Sequence, residues 1–250
     1  MLDSTNQSLF INKNTQFHAA STMKTPVMIE AFKRIELAQF TLADSLQITN
    51  RFKSIVDQSE FELSVSDDSE PELYQQINQY RAIGDLIELM ITRSSNLANN
   101  ILIEYLGAEN ITQSMEDLGA GGIKILRGVE DIKAFESGLN NTTDAISLMI
   151  IFEKMANLQL VSESASRQMI DILKKQQYNE VIPAKLPPEV QTAHKTGSIT
   201  GVRHDSGIIY LPDGRKYVLI LLSKDLPEVE TGTRLLQNIS RMIYDYVEGI

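Results

Sequence analysis

Three short segments of this sequence carry side chains suited to acyl-transfer chemistry. The first is Ser21-Thr22-Met23-Lys24. On a helix, positions i and i+3 share a face, so Ser21 and Lys24 point the same way one turn apart. A serine hydroxyl is a weak nucleophile until a base takes its proton. A lysine amine can do that once burial disfavours its charged form and lowers its pKa. The flanks, His18-Ala19-Ala20 and Pro26-Val27-Met28, give that lysine an apolar setting. Pro26 falls in the first turn, where a missing N–H costs least. A serine at a helix start also sets its own amide at the positive end of the helix, where an oxyanion is stabilised.

The second segment is Arg93-Ser94-Ser95-Asn96. Ser94 and Asn96 are two apart, so in a turn or extended conformation both face one cleft. The hydroxyl would relay a proton and the amide would hold a substrate carbonyl or amide. The same residues also make an ordinary inter-helix cap. The third is His194-Lys195-Thr196-Gly197-Ser198. A strand edge of this kind offers a cation, a hydroxyl and free N–H groups to an anionic, amide-containing ligand. Gly197 inside the strand marks a close approach of backbone or ligand.

The elements that must position these residues follow from periodicity. Apolar spacing near 3.6 predicts helices over 25–37, 83–90, 97–106, 143–158, 162–174 and 231–246. Asn140-Asn141-Thr142-Thr143 supplies capping chemistry for the fourth. Strands are predicted at Ser8-Leu9-Phe10-Ile11-Asn12, over 192–195 and 207–211, and over 216–223, the last two joined by the turn Pro212-Asp213-Gly214. The class is therefore α+β: one antiparallel sheet paired from both chain ends with flanking helices, and an inserted all-helical lobe. One domain over 1–250 is expected, with the sheet lobe about 1–20 and 185–250 and the helical lobe about 40–180. The acidic run Ser66-Asp67-Asp68-Ser69-Glu70 reads as a solvated loop.

Composition narrows the function. The net charge of −10 over 250 residues argues against nucleic acid or an anionic membrane surface as partner. Zero Cys excludes disulfides, thiolate metal sites and a cysteine nucleophile, and three His make a multi-His metal cluster improbable on count. No apolar run is long enough for a spanning helix. No metal is expected on these counts, and a small-molecule substrate, no cofactor and a monomer are what the family resemblance described next implies.

In order and placement, the three segments resemble the Ser-x-x-Lys, Ser-Asp-Asn and Lys-Thr-Gly signature of class A β-lactamases and penicillin-binding proteins. The chain thus resembles the class A β-lactamase-like serine hydrolases over nearly its whole length. Stretches such as Leu89-Met90-Ile91-Thr92-Arg93 and Asn100-Ile101-Leu102-Ile103 are similar to the family beyond the motifs. The resemblance implies that Ser21 is acylated by a β-lactam and that Lys24 is a candidate general base. It implies that Ser94 passes a proton to the leaving nitrogen, and that Asn96 binds the substrate's side-chain amide. Lys195 and Thr196 would grip its carboxylate, the amides of Ser21 and Ser198 would form the oxyanion hole, and Gly197 counts with the substrate-binding residues. Arg203 would add a carboxylate contact or else pair with Asp205.

Two departures stand out. Ser95 occupies a position where the family usually has Asp, which bears on loop rigidity. The family's loop with its water-activating Glu is here Arg127-Gly128-Val129-Glu130-Asp131-Ile132-Lys133-Ala134-Phe135, and it lacks the usual Trp. Glu130 is the natural stand-in, one position out of register, with Asp131 and Glu136 as rivals and an Arg-paired or surface role as the alternative. Without a working carboxylate the enzyme would acylate and stall. Rival readings are a DD-peptidase or esterase acting on a peptide-like substrate, and a non-hydrolytic penicillin-binding protein.

The family resemblance also implies that the nucleophile sits unusually early. Met1-Leu2-Asp3 looks like the end of a first strand, so the chain reads as lacking its front. No signal peptide is visible, and a periplasmic or secreted location is expected for the full-length protein. The C-terminal helix around Leu235, Ile239 and Met242 is expected to show an apolar stripe.

Overall fold

A computed structural model describes residues 7–249. In chain order the elements are β1 (Phe17–His18), α1 (Lys24–Glu36), β2 (Ser45–Gln47), β3 (Phe52–Lys53), β4 (Glu60–Phe61), α2 (Pro71–Tyr74), β5 (Tyr80–Ala82), α3 (Ile83–Thr92) and α4 (Asn96–Leu106). They continue with α5 (Ala108–Asp117), α6 (Ile132–Glu136), β6 (Thr142–Thr143), α7 (Ala145–Ala156), α8 (Glu163–Leu173), β7 (Gln191–Ile199), β8 (Val202–Tyr210), β9 (Lys216–Leu221) and α9 (Val229–Glu248). The class is α+β and every strand pairing is antiparallel.

The main sheet has the order β7-β8-β9. Among the described residues, its strands come from the C-terminal part of the chain. The strand expected at Ser8–Asn12 is absent: that segment is irregular, with Leu9 and Ile11 65% and 75% exposed. Its apolar run lies along an apolar cavity of about 330 Å³ beside β9 and α9, rather than joining a ladder. Met1-Leu2-Asp3 lies outside the described residues. The N-terminal segment pairs instead through β1, whose Phe17 and His18 face Thr143 and Thr142 of β6.

The helices bury the faces that their spacing predicts. Val27, Met28, Ala31 and Phe32 of α1 are buried, as are Leu86, Ile87, Met90 and Ile91 of α3. Side-chain caps fix the starts: Ser95 accepts from the Ala98 amide, Asp144 from Ser147 and Ser162 from Ala165. Each such cap contributes about 1 kcal/mol. For α7 the cap is Asp144, one residue beyond the expected run of Asn and Thr.

Two cores result. The larger joins α1, α3, α4, α7 and α8 to Ala193 and Ile208 on one face of the sheet. The smaller packs Ile209, Tyr217 and Leu221 on the other face against Leu236, Tyr244 and Val247 of α9. The sheet is thus covered on both faces.

Candidate active site

Ser21 sits in a 3₁₀ turn, Ala20–Met23, that runs straight into α1. The turn is pinned on both sides. The Ala20 amide donates to His18 Nδ1 (3.0 Å), and the Thr22 hydroxyl donates to the Ala19 carbonyl (2.5 Å). Ala20 has φ of +45°, a left-handed conformation rarely taken by a residue with a Cβ. Ser94 and Glu130 share that feature, with φ of +58° and +64°. Such strain persists only where surrounding structure over-determines the backbone; seven other non-glycine residues outside this site also take positive φ.

Lys24 is completely buried. Its Nζ donates to the Ser94 carbonyl (2.6 Å) and to Asn96 Oδ1 (2.9 Å), and reaches Ser94 Oγ at 3.3 Å. Burial pushes its pKa down to about 7, against a smaller opposing pull from the carboxylates of Asp68 and Glu130. Lys195, on β7, is buried as well; its Nζ lies 3.1 Å from Ser94 Oγ and 3.0 Å from the Thr196 carbonyl. Its pKa lies well below the ordinary lysine value because of burial and then of the Lys24 charge, offset in part by Asp205. Two buried amines therefore bracket one hydroxyl. Ser94 Oγ is thus within hydrogen-bond distance of both amines.

Asn96 joins this chain to a carboxylate: its Oδ1 accepts from Lys24, and its Nδ2 donates to Glu130 Oε1 (3.2 Å). Glu130 Oε2 accepts from the Ser64 amide (3.0 Å). The loop carrying Glu130 is tied at its base and its flank. Arg127 donates to the Leu139 carbonyl and Asn140 Oδ1, while Asn141 Oδ1 accepts from the Leu126 and Arg127 amides. From α4, the Asn100 side chain bonds both the amide and the carbonyl of Val129 (2.7 and 3.0 Å). Arg127 is spent on these carbonyls and does not pair with Glu130. The rivals point elsewhere. Asp131 accepts from Ser54 Oγ and the Ile55 and Ala134 amides, and Glu136 is exposed.

β7 closes the site against the serine turn. A Cβ added at Gly197 would sit 3.1 Å from the Thr22 amide nitrogen and 3.2 Å from that of Ser21. Any larger residue would need the serine turn to give way by a few tenths of an ångström. Thr196 is half-buried and Ser198 is exposed, opposite Arg203 in the ladder. Arg203 Nε lies 3.3 Å from Thr233 Oγ1 of α9, while Asp205 pairs with His194 (2.9 Å); the expected Arg203–Asp205 alternative does not form.

The acidic run is solvated only in part: Ser66, Asp67 and Ser69 are exposed. Asp68 and Glu70 are buried. Asp68 accepts from the amides of Asn96 (3.1 Å) and Leu97 (2.7 Å), from the Ser95 hydroxyl (3.4 Å) and from Tyr74 (3.0 Å). Glu70 takes the Arg93 guanidinium at 2.7 Å. Tyr74 is itself buried beside Asp68. Sequence reasoning missed these groups. The signal that this loop packs was Pro71 followed by Leu73-Tyr74, apolar residues directly after the charges.

Among the described residues no helix is long and apolar enough to cross a membrane, and no cluster of three or more His, Asp or Glu side chains forms a metal-binding group.

A model of the Beta-lactamase enzyme family matches residues 1–247. A β-lactamase of Bacteroides uniformis is 25% identical over 173 residues, covering 64% of this chain and 58% of that protein, so the match spans little more than half of the relative's length. Among solved structures, PBP-A is 28% identical with a TM-score of 0.80, over 96% of this chain and 84% of that one. A PBP-A variant solved as an acyl-enzyme complex with penicillin G is 28% identical with a TM-score of 0.83, over 99% and 88%. A β-lactamase from Sphaerobacter thermophilus shares the fold, with a TM-score of 0.84 at 21% identity over 100% and 90%.

Proposed function

The chain belongs to the Beta-lactamase enzyme family, and we propose that it is a serine hydrolase of the class A kind that opens β-lactam rings through an acyl-enzyme on Ser21. The observation carrying this reading is the convergence on Ser94 Oγ of Lys195 and of Lys24, the latter three residues beyond Ser21 on the same turn. With a pKa of about 7, Lys24 is a base at neutral pH. It takes the Ser21 proton as Oγ attacks the lactam carbonyl. The oxyanion forms against the amides of Ser21 and Ser198 at the close approach made by Gly197. As the C–N bond breaks, the proton moves through Ser94 to the leaving nitrogen, leaving an ester on Ser21. Lys195 and Thr196 on β7, with Arg203 on the neighbouring β8, are the groups proposed to meet a substrate carboxylate. Asn96 offers its amide to the substrate's own. Glu130, one hydrogen bond beyond Asn96, takes a proton from the water that hydrolyses the ester. The whole chain then acts as one catalytic domain with its sheet and helical lobes on either side of Ser21. A monomeric state, checked by size-exclusion chromatography, and a periplasmic or secreted location, checked by fractionation, belong to the same reading.

One observation favours a second reading. Both oxygens of Glu130 already accept hydrogen bonds, from Asn96 and Ser64, which compete with an attacking water. In that case the protein is a slow-deacylating acceptor, a penicillin-binding protein or DD-peptidase. Turnover of a chromogenic cephalosporin separates the two. Steady hydrolysis supports the β-lactamase; a one-equivalent burst followed by a plateau supports the acceptor. Absence of any penicillin adduct on Ser21 by peptide mass mapping rejects both and leaves a non-catalytic role.

A further inference from the structure

We propose that Asp68 is a positioning residue of the reaction, holding the Ser94–Asn96 turn so that both Ser94 and Asn96 face Lys24. The inference rests on the serine acyl-transfer reading above. Asp68 comes from a loop 26 or more residues upstream of the turn, yet its buried carboxylate meets that turn at three consecutive residues. It receives the Ser95 hydroxyl at 3.4 Å and the amides of Asn96 and Leu97 at 3.1 and 2.7 Å. The Glu70 amide (3.0 Å) and the Tyr74 hydroxyl (3.0 Å) hold the carboxylate from behind.

Those bonds do what the turn cannot do alone. The Ser94 backbone is left-handed, and its carbonyl and hydroxyl both point at Lys24. The Ser95 hydroxyl is engaged in capping α4 at the Ala98 amide. The first amides of α4, at Asn96 and Leu97, have no partner within the helix. A carboxylate there satisfies two such donors and sits at the positive end of α4. It also adds a negative charge beside Lys24, whose other charged neighbours are Glu130 and Lys195.

The test is Asp68→Asn, alone and combined with Ser95→Asp. Asparagine keeps the shape, but its amide group cannot accept from both helix amides and loses the charge. Because Ser95 Oγ already lies 3.4 Å from Asp68 Oδ2, an aspartate at 95 returns a carboxylate to nearly the same spot. Asp68→Asn should slow Ser21 acylation by a chromogenic β-lactam about 10–100-fold, the cost typical of a misplaced catalytic group. It should also move the acid limb of the rate–pH profile to lower pH, since losing the negative charge lowers the Lys24 pKa further. Ser95→Asp in that background should restore both the rate and the position of the limb. A purely structural residue would not move the limb. Asp68→Asn acylating within about 3-fold of wild type, or a slowed variant whose limb stays put, would overturn the proposal. If Asp68→Asn does not fold, the double variant decides alone: near-wild-type acylation supports the proposal, and a slow or unfolded double variant sinks it. Wild-type protein that never acylates refutes the parent reading instead.

Discussion

At the scale of single residues, the site is a short run of hydrogen bonds: Lys195 to Ser94, Ser94 to Lys24, Lys24 to Asn96, Asn96 to Glu130. Each link is separately testable. Ser21→Ala removes the nucleophile, so no penicillin adduct should appear at that position by intact-mass analysis; an adduct of normal stoichiometry would place the nucleophile elsewhere. Glu130→Gln should let acylation proceed while the ester accumulates, seen as a deacylation rate constant lower by about 100-fold or more. Unchanged deacylation would remove Glu130 from the reaction. Lys24 also carries a stability signature. Its pKa is about 7 in the folded protein against 10.5 for an ordinary lysine. Between those values the unfolded chain binds a proton that the folded chain does not. Its contribution to unfolding free energy therefore rises with pH across that window, by roughly 1.4 kcal/mol per unit. Lys24→Met should lack this rise, so its stability relative to wild type should decline from pH 7 to pH 10 in denaturant titrations. A constant gap would mean that Lys24 titrates normally.

At the scale of elements, the proposed chemistry needs three backbones in register: the serine turn, the turn before α4 and the edge of β7. Gly197 sets the last of these. Gly197→Ala places a methyl against the Ser21 and Thr22 amides. It should lower kcat/KM about 10–100-fold while Tm falls by only about 2–4 °C; unchanged kinetics would show that the strand can move aside. The elements were largely legible in the sequence because their apolar spacing is regular. Helices α1, α3, α4, α7, α8 and α9 and strands β7 to β9 all arise where periodicity or an apolar run marks them. What escaped was whatever gets its order from partners distant in sequence. The acidic loop looks like surface by composition, but its charges are satisfied by Arg93, Tyr74 and the start of α4. Ser8–Asn12 has strand-like residues but no ladder to join. The site residues were visible by type, whereas the route from Lys24 through Asn96 to Glu130 was not, because it depends on how the loops close.

At the scale of the molecule, two cores share one sheet, and the reaction centre lies beside its β7 edge. The outer core leaves part of α9 uncovered: Leu235, Met242 and Tyr246 are 57%, 69% and 54% exposed, whereas Ile239, expected in the same stripe, is half-buried against the outer core. Leu235→Lys with Met242→Lys should leave Tm within about 2 °C of wild type, because exposed side chains contribute little. It should also reduce light scattering on heating, since exposed apolar patches promote association. A fall of Tm by several degrees would show that these side chains pack on something in solution.

The spread of the site along the chain has one more outcome. Ser21, Lys24, Ser94, Asn96 and Glu130 precede the turn at Asn157–Gln159, and Lys195 and Gly197 follow it. Neither portion holds a complete proton path. Severing the chain at that turn would yield two inert fragments whose reunion restores every link at once. The proposed β-lactam turnover would then return only when the two halves are brought together.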